Sequence, residues 1–449
     1  MRLILSLAFP LIISQLIGLT LVLTDIWFMS HISVAALAAG GLGASVYNFI
    51  FILVSSIVGC VANLVAIAFG KRVAQKQIAD EQINRTVKGG LLVSIILTVG
   101  CLFVFSFAPE FLHSAGQPEA VIDDAMHYLD AVKWAMLPSL FILVFRGLAS
   151  ATGHVRSVMF MSIATVLINI PLSYALAFPL GLGLSGLGYG TALSALLVML
   201  GYGVWLFKHP SYQLYVPWKR LSDYRQISNT LPIIGLGVPI MLAALMENGL
   251  IYGGTLLAGT ISVTALAIHQ VLLQCLSFTW NINFGFSQAA AILVGRQFGA
   301  DNFSAIKATA LKSFILMTVI SLVFCGLFIA YPEVIINMFN LANAGEGAAL
   351  LFKTVLWVVA ISFVVDAWQL LAINLLRGMK IVKGPTIVTA IGYWGFGIPS
   401  AWFLTQKFGL GGIWAGIGIG LAVTGIILVV MLKKRLKQSN NPQVIKSGG

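Results

Sequence analysis

Residues 231–255, LPIIGLGVPIMLAALMENGLIYGGT, form an apolar run that carries one charge, Glu247, towards its middle. A bilayer crossing takes about 20 such residues, so the run is long enough to span a membrane. An ionisable group at the centre of a membrane helix costs on the order of 2.5–3.5 kcal/mol on insertion scales, and is tolerated only where it faces protein or a watery cavity. Two readings follow. Glu247 is either a protonated, hydrogen-bonded structural residue or a carboxylate that exchanges a cation for a cargo.

The chain around it has the same character. Of 449 residues, 59% are hydrophobic and 9% charged, against about a quarter charged in soluble domains, which makes this a polytopic membrane protein. Cys60, Cys101, Cys275 and Cys325 stand singly in apolar runs, so neither a disulfide framework nor a zinc site is indicated. The net charge of +12 lies in short loops and the tail, where membrane topology explains it better than a nucleic-acid partner. The first run, from Arg2, is longer than a signal sequence and has no small-residue cleavage site, so it reads as a retained first helix.

Runs of crossing length number about twelve: 3–28, 40–69, 89–109, 128–150, 158–179, 185–207, 232–257, 265–295, 308–331, 350–376, 386–405 and 411–432. Basic residues gather in the loops after even-numbered crossings, from Lys71, Arg72 and Lys76 to Arg377, Lys380 and Lys383, and again in the tail at Lys433–Arg435. The acidic residues Glu110, Glu119, Asp123, Asp124 and Asp130 lie on the other side, the last four within a polar, partly helical loop over 117–134. The positive-inside rule then puts both termini in the cytoplasm, and an even number of crossings agrees.

The chain also repeats itself. Pro10 and Pro239 are 229 residues apart, and the same offset aligns Ile32–Ala38 with Ile261–Ala267 and Phe69-Gly70 with Phe298-Gly299. Gly153 with Gly378, Pro171 with Pro399 and Gly186 with Gly412 carry the correspondence on through small insertions. Two parallel six-helix lobes are predicted, with the default substrate cavity between them. The expected division is an amino-terminal lobe over 1–217, a linker over 218–230, a carboxy-terminal lobe over 231–436 and a cytoplasmic tail over 437–449. In the linker, Leu221, Tyr224 and Ile227 fall at helical spacing among charges, so it is either a short interfacial helix or a plain solvated segment.

Three acids lie in apolar runs: Asp25, Glu247 and Asp366. Together they would cost roughly 8–10 kcal/mol, comparable with a whole protein's net stability, so they must share water, cations or protons. Glu247 aligns with Gly18, seven residues before Asp25, which puts the two acids on the same faces of equivalent helices at depths about 10 Å apart. Asp25 near a helix end has a capping alternative, and Asp366 has a buried salt bridge, with Arg377 three turns away. Asn169, Ser173 and Thr191 could offer oxygens to a hard cation beside Asp25, or merely join helices. Gln270, Gln274, Asn281 and Asn283, with Trp280 among them, give the eighth crossing a polar face that lines a cavity or binds helices together. Pro10, Pro171, Pro239 and Pro399 interrupt membrane helices in two repeat-related pairs. No nucleotide-binding loop is present, so the driving force is expected from an ion gradient or a partner, with no cofactor.

Thr24-Asp25 behind a proline-bearing first helix, Glu247, Ala265–Gln270, Phe298-Gly299, Asp366 and Arg377-Gly378 together resemble the multidrug and toxic compound extrusion (MATE) transporters over nearly the whole chain. The three acids look like the NorM branch. That resemblance implies a V of two lobes in the inner membrane, acting without enzymatic chemistry as an antiporter. Na⁺, rather than H⁺, would be exchanged for cationic aromatic drugs, conferring antibiotic resistance. It maps the coupling carboxylates onto Glu247, Asp366 and Asp25, with Na⁺ at Glu247 and Asp366, and implies Gln270, Gln274 and Asn283 as cavity lining. The DinF-like branch has an amino-terminal-lobe site that Asp25, Asn169 and Thr191 match, but Ser173 stands where its second Asp would be. Ser362 replaces an aromatic residue that some relatives carry one turn before the acid of the tenth crossing. Small-molecule drugs and membrane lipid are the expected partners, and a monomer the expected state. A lipid-linked saccharide flippase of related architecture is the alternative, but a pyrophosphate cargo calls for buried Arg and Lys where this chain buries acids. A non-transporting scaffold would leave the acids unexplained.

Overall fold

Two serines open equivalent helices. Ser33 and Ser262, 229 residues apart, both adopt extended backbone, with φ/ψ of −171/165° and −170/163°. Each side chain accepts a hydrogen bond from the backbone N–H three residues on, at 2.9 Å from Ala36 and 3.0 Å from Ala265, which satisfies a donor the first helical turn leaves free. The repeat read from sequence is therefore a repeat of local structure.

The computed structural model describes residues 1–217, 227–339, 341 and 347–438, and among them the chain is helical with no strand. The helices are α1 (Arg2–Ile32), α2 (Val34–Gly59), α3 (Val61–Lys71), α4 (Lys76–Phe105), α5 (Ala108–Ser114), α6 (Glu119–Val132), α7 (Met136–Thr152), α8 (Val155–Ala177) and α9 (Gly183–Lys208). After the linker come α10 (Leu231–Ile261), α11 (Val263–Gly299), α12 (Phe303–Ala330), α13 (Pro332–Met338), α14 (Ala348–Gly378), α15 (Lys383–Ala390) and α16 (Ile398–Gln438). The second crossing is α2 with α3, broken at Cys60, and the fourth is α6 running into α7. The final helical stretch, Lys383–Lys437, is 55 residues long. At about 1.5 Å per residue it would be more than twice the ~30 Å of a bilayer core. It bends back at Gly409, whose φ of 53° and ψ of −131° are non-helical, so it supplies two crossings, which makes twelve among the described residues. The expected interfacial helix over 218–230 lies mostly outside the described residues, and Ile227–Asn229 form a single 3₁₀ turn. The tail beyond residue 438 lies outside them too.

The chain divides into two compact units, residues 13–241 and residues 1–12 with 242–449. The expected boundary in the linker is thus displaced into α1 and α10. Packing gives the reason. A Cβ on Gly285 of α11 would lie 2.8 Å from Ile12 Cα, and one on Gly237 of α10 would lie 2.7 Å from Ile57 Cα in α2. Each repeat therefore contributes the leading part of its first helix to the other repeat's unit.

Inside the units, matching glycines bring helices together. A Cβ on Gly186 would lie 2.6 Å from Ala177 N and one on Gly190 2.6 Å from Ser173 Cα, so α9 closes on α8 only through glycine. Gly412 against Leu404 and Gly416 against Ala401 do the same for the last two crossings. One expected pairing is corrected. Gly153, at φ 109°, ends α7 in left-handed backbone, whereas Gly378 packs within helix, where a Cβ would lie 2.7 Å from Ala291 O. Its counterpart is Gly147, where a Cβ would lie 3.1 Å from Ala62 N, because Ala62 and Ala291 are themselves 229 residues apart.

At the basic end of the 13–241 unit, Tyr212 is buried. Its hydroxyl lies 2.7 Å from both Thr152 Oγ1 and His154 Nδ1. The His154 ring stands 5.0 Å from that of His209. Burial and the neighbouring His209 push the His154 pKa below its ordinary 6.5.

Candidate functional site

Glu247 sits in mid-α10 and is partly exposed. Trp280 of α11, stacked on Phe284 with ring centroids 4.7 Å apart, donates its indole N–H to Glu247 Oε1 at 3.1 Å. Asp366 of α14 is 3% exposed, and its Oδ2 meets no hydrogen-bond partner among the described residues. The two acids lie within electrostatic reach of each other. Arg377 acts on Glu247 at range, but among the described residues no ion pair joins it to either acid. The buried salt bridge weighed for Asp366 is absent from this arrangement. Two carboxylates converging with no cation paired directly to either make a site that gains by taking up a cation or a proton.

The eighth crossing divides its polar residues. Gln270 and Gln274 are exposed, whereas Asn283 is 2% exposed and Ser287 beside it is buried. At 100° per residue Asn283 lies about 140° round the helix from Gln270, so the three do not share one lining face. Ser362 is buried, donating to Val358 O at 3.0 Å, and lies where a Cβ on Gly418 would come within 2.9 Å of its Oγ. A helix contact fills the place of the missing aromatic ring.

In the 13–241 unit, Asn169 Nδ2 donates to Thr191 Oγ1 at 3.3 Å and to Ser194 Oγ at 3.2 Å. Ser173 is fully buried beneath Gly190, and neither its Oγ nor Asn169 Oδ1 has a partner. Ser194 is a member the sequence reading missed. Asp25 Oδ1 is likewise without a partner; the group in electrostatic reach is Tyr128 of α6, and no hydrogen bond links Asp25 to the Asn169 cluster. Near it, a groove of about 560 Å³ is walled by Leu23, Trp27 and Phe28 of α1 and by Ile170, Pro171 and Tyr174 of α8. Among the described residues no three His, Cys, Asp or Glu side chains stand close enough to hold a metal ion.

Tyr393 and Gln369 were also missed. Both are buried beside Asp366, and a Tyr or Gln in an apolar run carries no signal that separates a ligand from ordinary packing.

Comparison with known proteins agrees with the fold and its repeat. The MatE family profile matches twice, at residues 10–175 and 239–403, which is the internal repeat at nearly the offset read from the prolines. A probable multidrug resistance protein NorM of Pseudomonas putida is 32% identical over 447 residues, covering 98% of this chain and 95% of the relative. Its namesake in Pseudomonas aeruginosa is 31% identical, covering 96% and 88%. Among solved structures, a crystal structure of MATE in the bent conformation has a TM-score of 0.88 at 19% identity, covering 99% of this chain and 97% of that one. An outward-facing multidrug resistance MATE family transporter of the MOP superfamily has a TM-score of 0.87 at 20% identity, covering 98% and 96%.

Proposed function

Because the chain belongs to the MatE family of membrane transporters, we propose that it exports cationic aromatic drugs from the cytoplasm by antiport against Na⁺, with H⁺ as the second candidate ion. The observation that carries this reading is the approach of Glu247 and Asp366 within electrostatic reach of each other, with Arg377 acting on Glu247 only at range and no ion pair to either acid among the described residues. A drug cation and the coupling cation compete for the same negative charge. Entry of the ion from outside neutralises the carboxylates and weakens their hold on the drug; loss of the ion to the cytoplasm restores the charge for the next drug. A potential of 100 mV supplies about 2.3 kcal/mol per charge. If one Na⁺ exchanges for one monovalent drug, the potential cancels and the chemical gradient alone drives export. The same reading has the chain in the inner membrane as a monomer, with both termini cytoplasmic. The NorM relatives bear the name of multidrug resistance proteins, and that name supports the substrate class.

The experiment is efflux of a fluorescent cation from proteoliposomes driven by an imposed Na⁺ or pH gradient. Glu247→Gln with Asp366→Asn is expected to abolish coupling, at least a tenfold loss of driven efflux, while leaving the protein in the membrane. Coupled efflux undiminished in that double variant would defeat the mechanism.

A further inference from the structure

Within the eleventh crossing the helix widens to a π-turn over Ile391–Gly397, between α15 and α16. Such turns are rare and cluster at functional sites. This one is held from two sides. Behind it, Gly392 presses on Thr424 and Gly397 on Gly420, where a Cβ on Gly420 would lie 2.9 Å from Gly397 Cα. In front, Trp394 donates its indole N–H to Met246 O at 3.3 Å, and its ring covers Gly249, where a Cβ would lie 2.7 Å from Cζ2. Those two anchors flank Glu247. The turn is thus pinned to α10 on both sides of the acid.

Its buried aromatic side chain, Tyr393, is 0% exposed, and its hydroxyl closes no hydrogen bond of normal geometry among the described residues. Gln369, one helical turn after Asp366 on the same face of α14, lies against it. Gln369 is 1% exposed; its amide neighbours the Tyr393 hydroxyl as a hydrogen-bonding group, while among the described residues its Oε1 has no partner. Tyr393 is within electrostatic reach of Glu247 and Asp366, and also of Arg377. Among the described residues Gln369 Oε1 and Asp366 Oδ2 stand without a partner and Tyr393 Oη closes no hydrogen bond of normal geometry, where buried polar atoms ordinarily find partners. Two of the three are acceptors only and the third can accept. A hard cation stripped of its water needs several oxygens beyond two carboxylates, whereas a proton needs one.

We propose that Tyr393 Oη and Gln369 Oε1 are neutral ligands that complete a monovalent-cation site on Glu247 and Asp366, and that the π-turn is the device that carries Tyr393 into it. This rests on the cation-coupled reading above and deepens it, since neutral oxygens in the set select Na⁺ over H⁺.

Tyr393→Phe keeps the ring and removes the oxygen; Gln369→Leu keeps the volume. In each, the Na⁺ concentration for half-maximal driven efflux is expected to rise about tenfold, the weight of one hydrogen-bond-strength contact to a charge. The Na⁺-dependent change in tryptophan fluorescence of the purified protein without drug is expected to shift by the same factor. A fall in maximal rate with half-saturation unmoved in both assays would assign the two residues to packing and overturn the proposal. So would wild-type efflux that needs no Na⁺. If Glu247→Gln and Asp366→Asn abolish coupling while Tyr393→Phe behaves as wild type, this inference alone fails; if the acid variants also behave as wild type, the parent reading fails with it.

Discussion

Glu247 and Asp366 were legible in the sequence because a carboxylate in an apolar run is expensive, and expense of that kind demands a partner. Their neutral neighbours were not. Trp280 reads as one more aromatic in a membrane helix until its N–H is seen on Glu247, and Asn283 reads as one face with Gln270 until helical phase separates them. Serine had the same fate: Ser194 completes the Asn169 cluster, but nothing in its spacing distinguishes it from the helix glue expected of small polar residues. A titrating residue outside the membrane core gives a direct prediction. Because the His154 pKa is lowered in the folded chain, the folded state binds fewer protons there than the unfolded one, so its stability is complete above the ordinary 6.5 and is lost as pH falls below it. The group is half-buried, and screening keeps the effect small. The thermal midpoint in detergent is expected to drop between about pH 7.5 and pH 5.5, and by less in His154→Gln. An identical pH slope in the two proteins would remove His154 from the account.

At the scale of elements, about twelve crossings followed from hydropathy and length, since the bilayer sets both, but helices outrun their apolar cores: α4 begins at Lys76, where the apolar run begins at 89. Interruptions did not follow. The break at Cys60 and the π-turn over Ile391–Gly397 keep apolar composition unbroken, and the glycines around them read as close packing wherever they fall. Close packing is nonetheless the measurable part. A Cβ on Gly416 would collide with the Ala401 backbone, whereas one on Gly326 in α12 meets nothing within 4 Å. Gly416→Ala is therefore expected to cost about 1–3 kcal/mol through overpacking and lower the melting midpoint by several degrees. Gly326→Ala should be neutral or slightly stabilising, by up to about 1 kcal/mol of helix propensity. Equal midpoints for the two variants would contradict the glycine contact between the last two crossings.

For the whole molecule, duplication was legible from proline and motif offsets, and the twofold family match follows it. The exchange of leading half-helices was not, because sequence similarity records which residues correspond and is silent on which unit they join. Residues 1–12 sit with 242–449, and residues 231–241 sit with the first repeat. Gly285→Val, forced against Ile12, is expected to raise backbone hydrogen exchange in residues 2–12; Gly237→Val, forced against Ile57, should raise it in α2. Nanodisc exchange measurements showing only the substituted helix loosened in each case would refute the exchange. The arrangement also sets a timetable for biosynthesis. Residues 1–12 find their packing partner only when Gly285 has been made, roughly 270 residues later. At about 5–20 residues per second that segment of the nascent chain waits on the order of 14–55 s for the helix it will lie against, and must be sheltered by lipid or the insertion machinery until then.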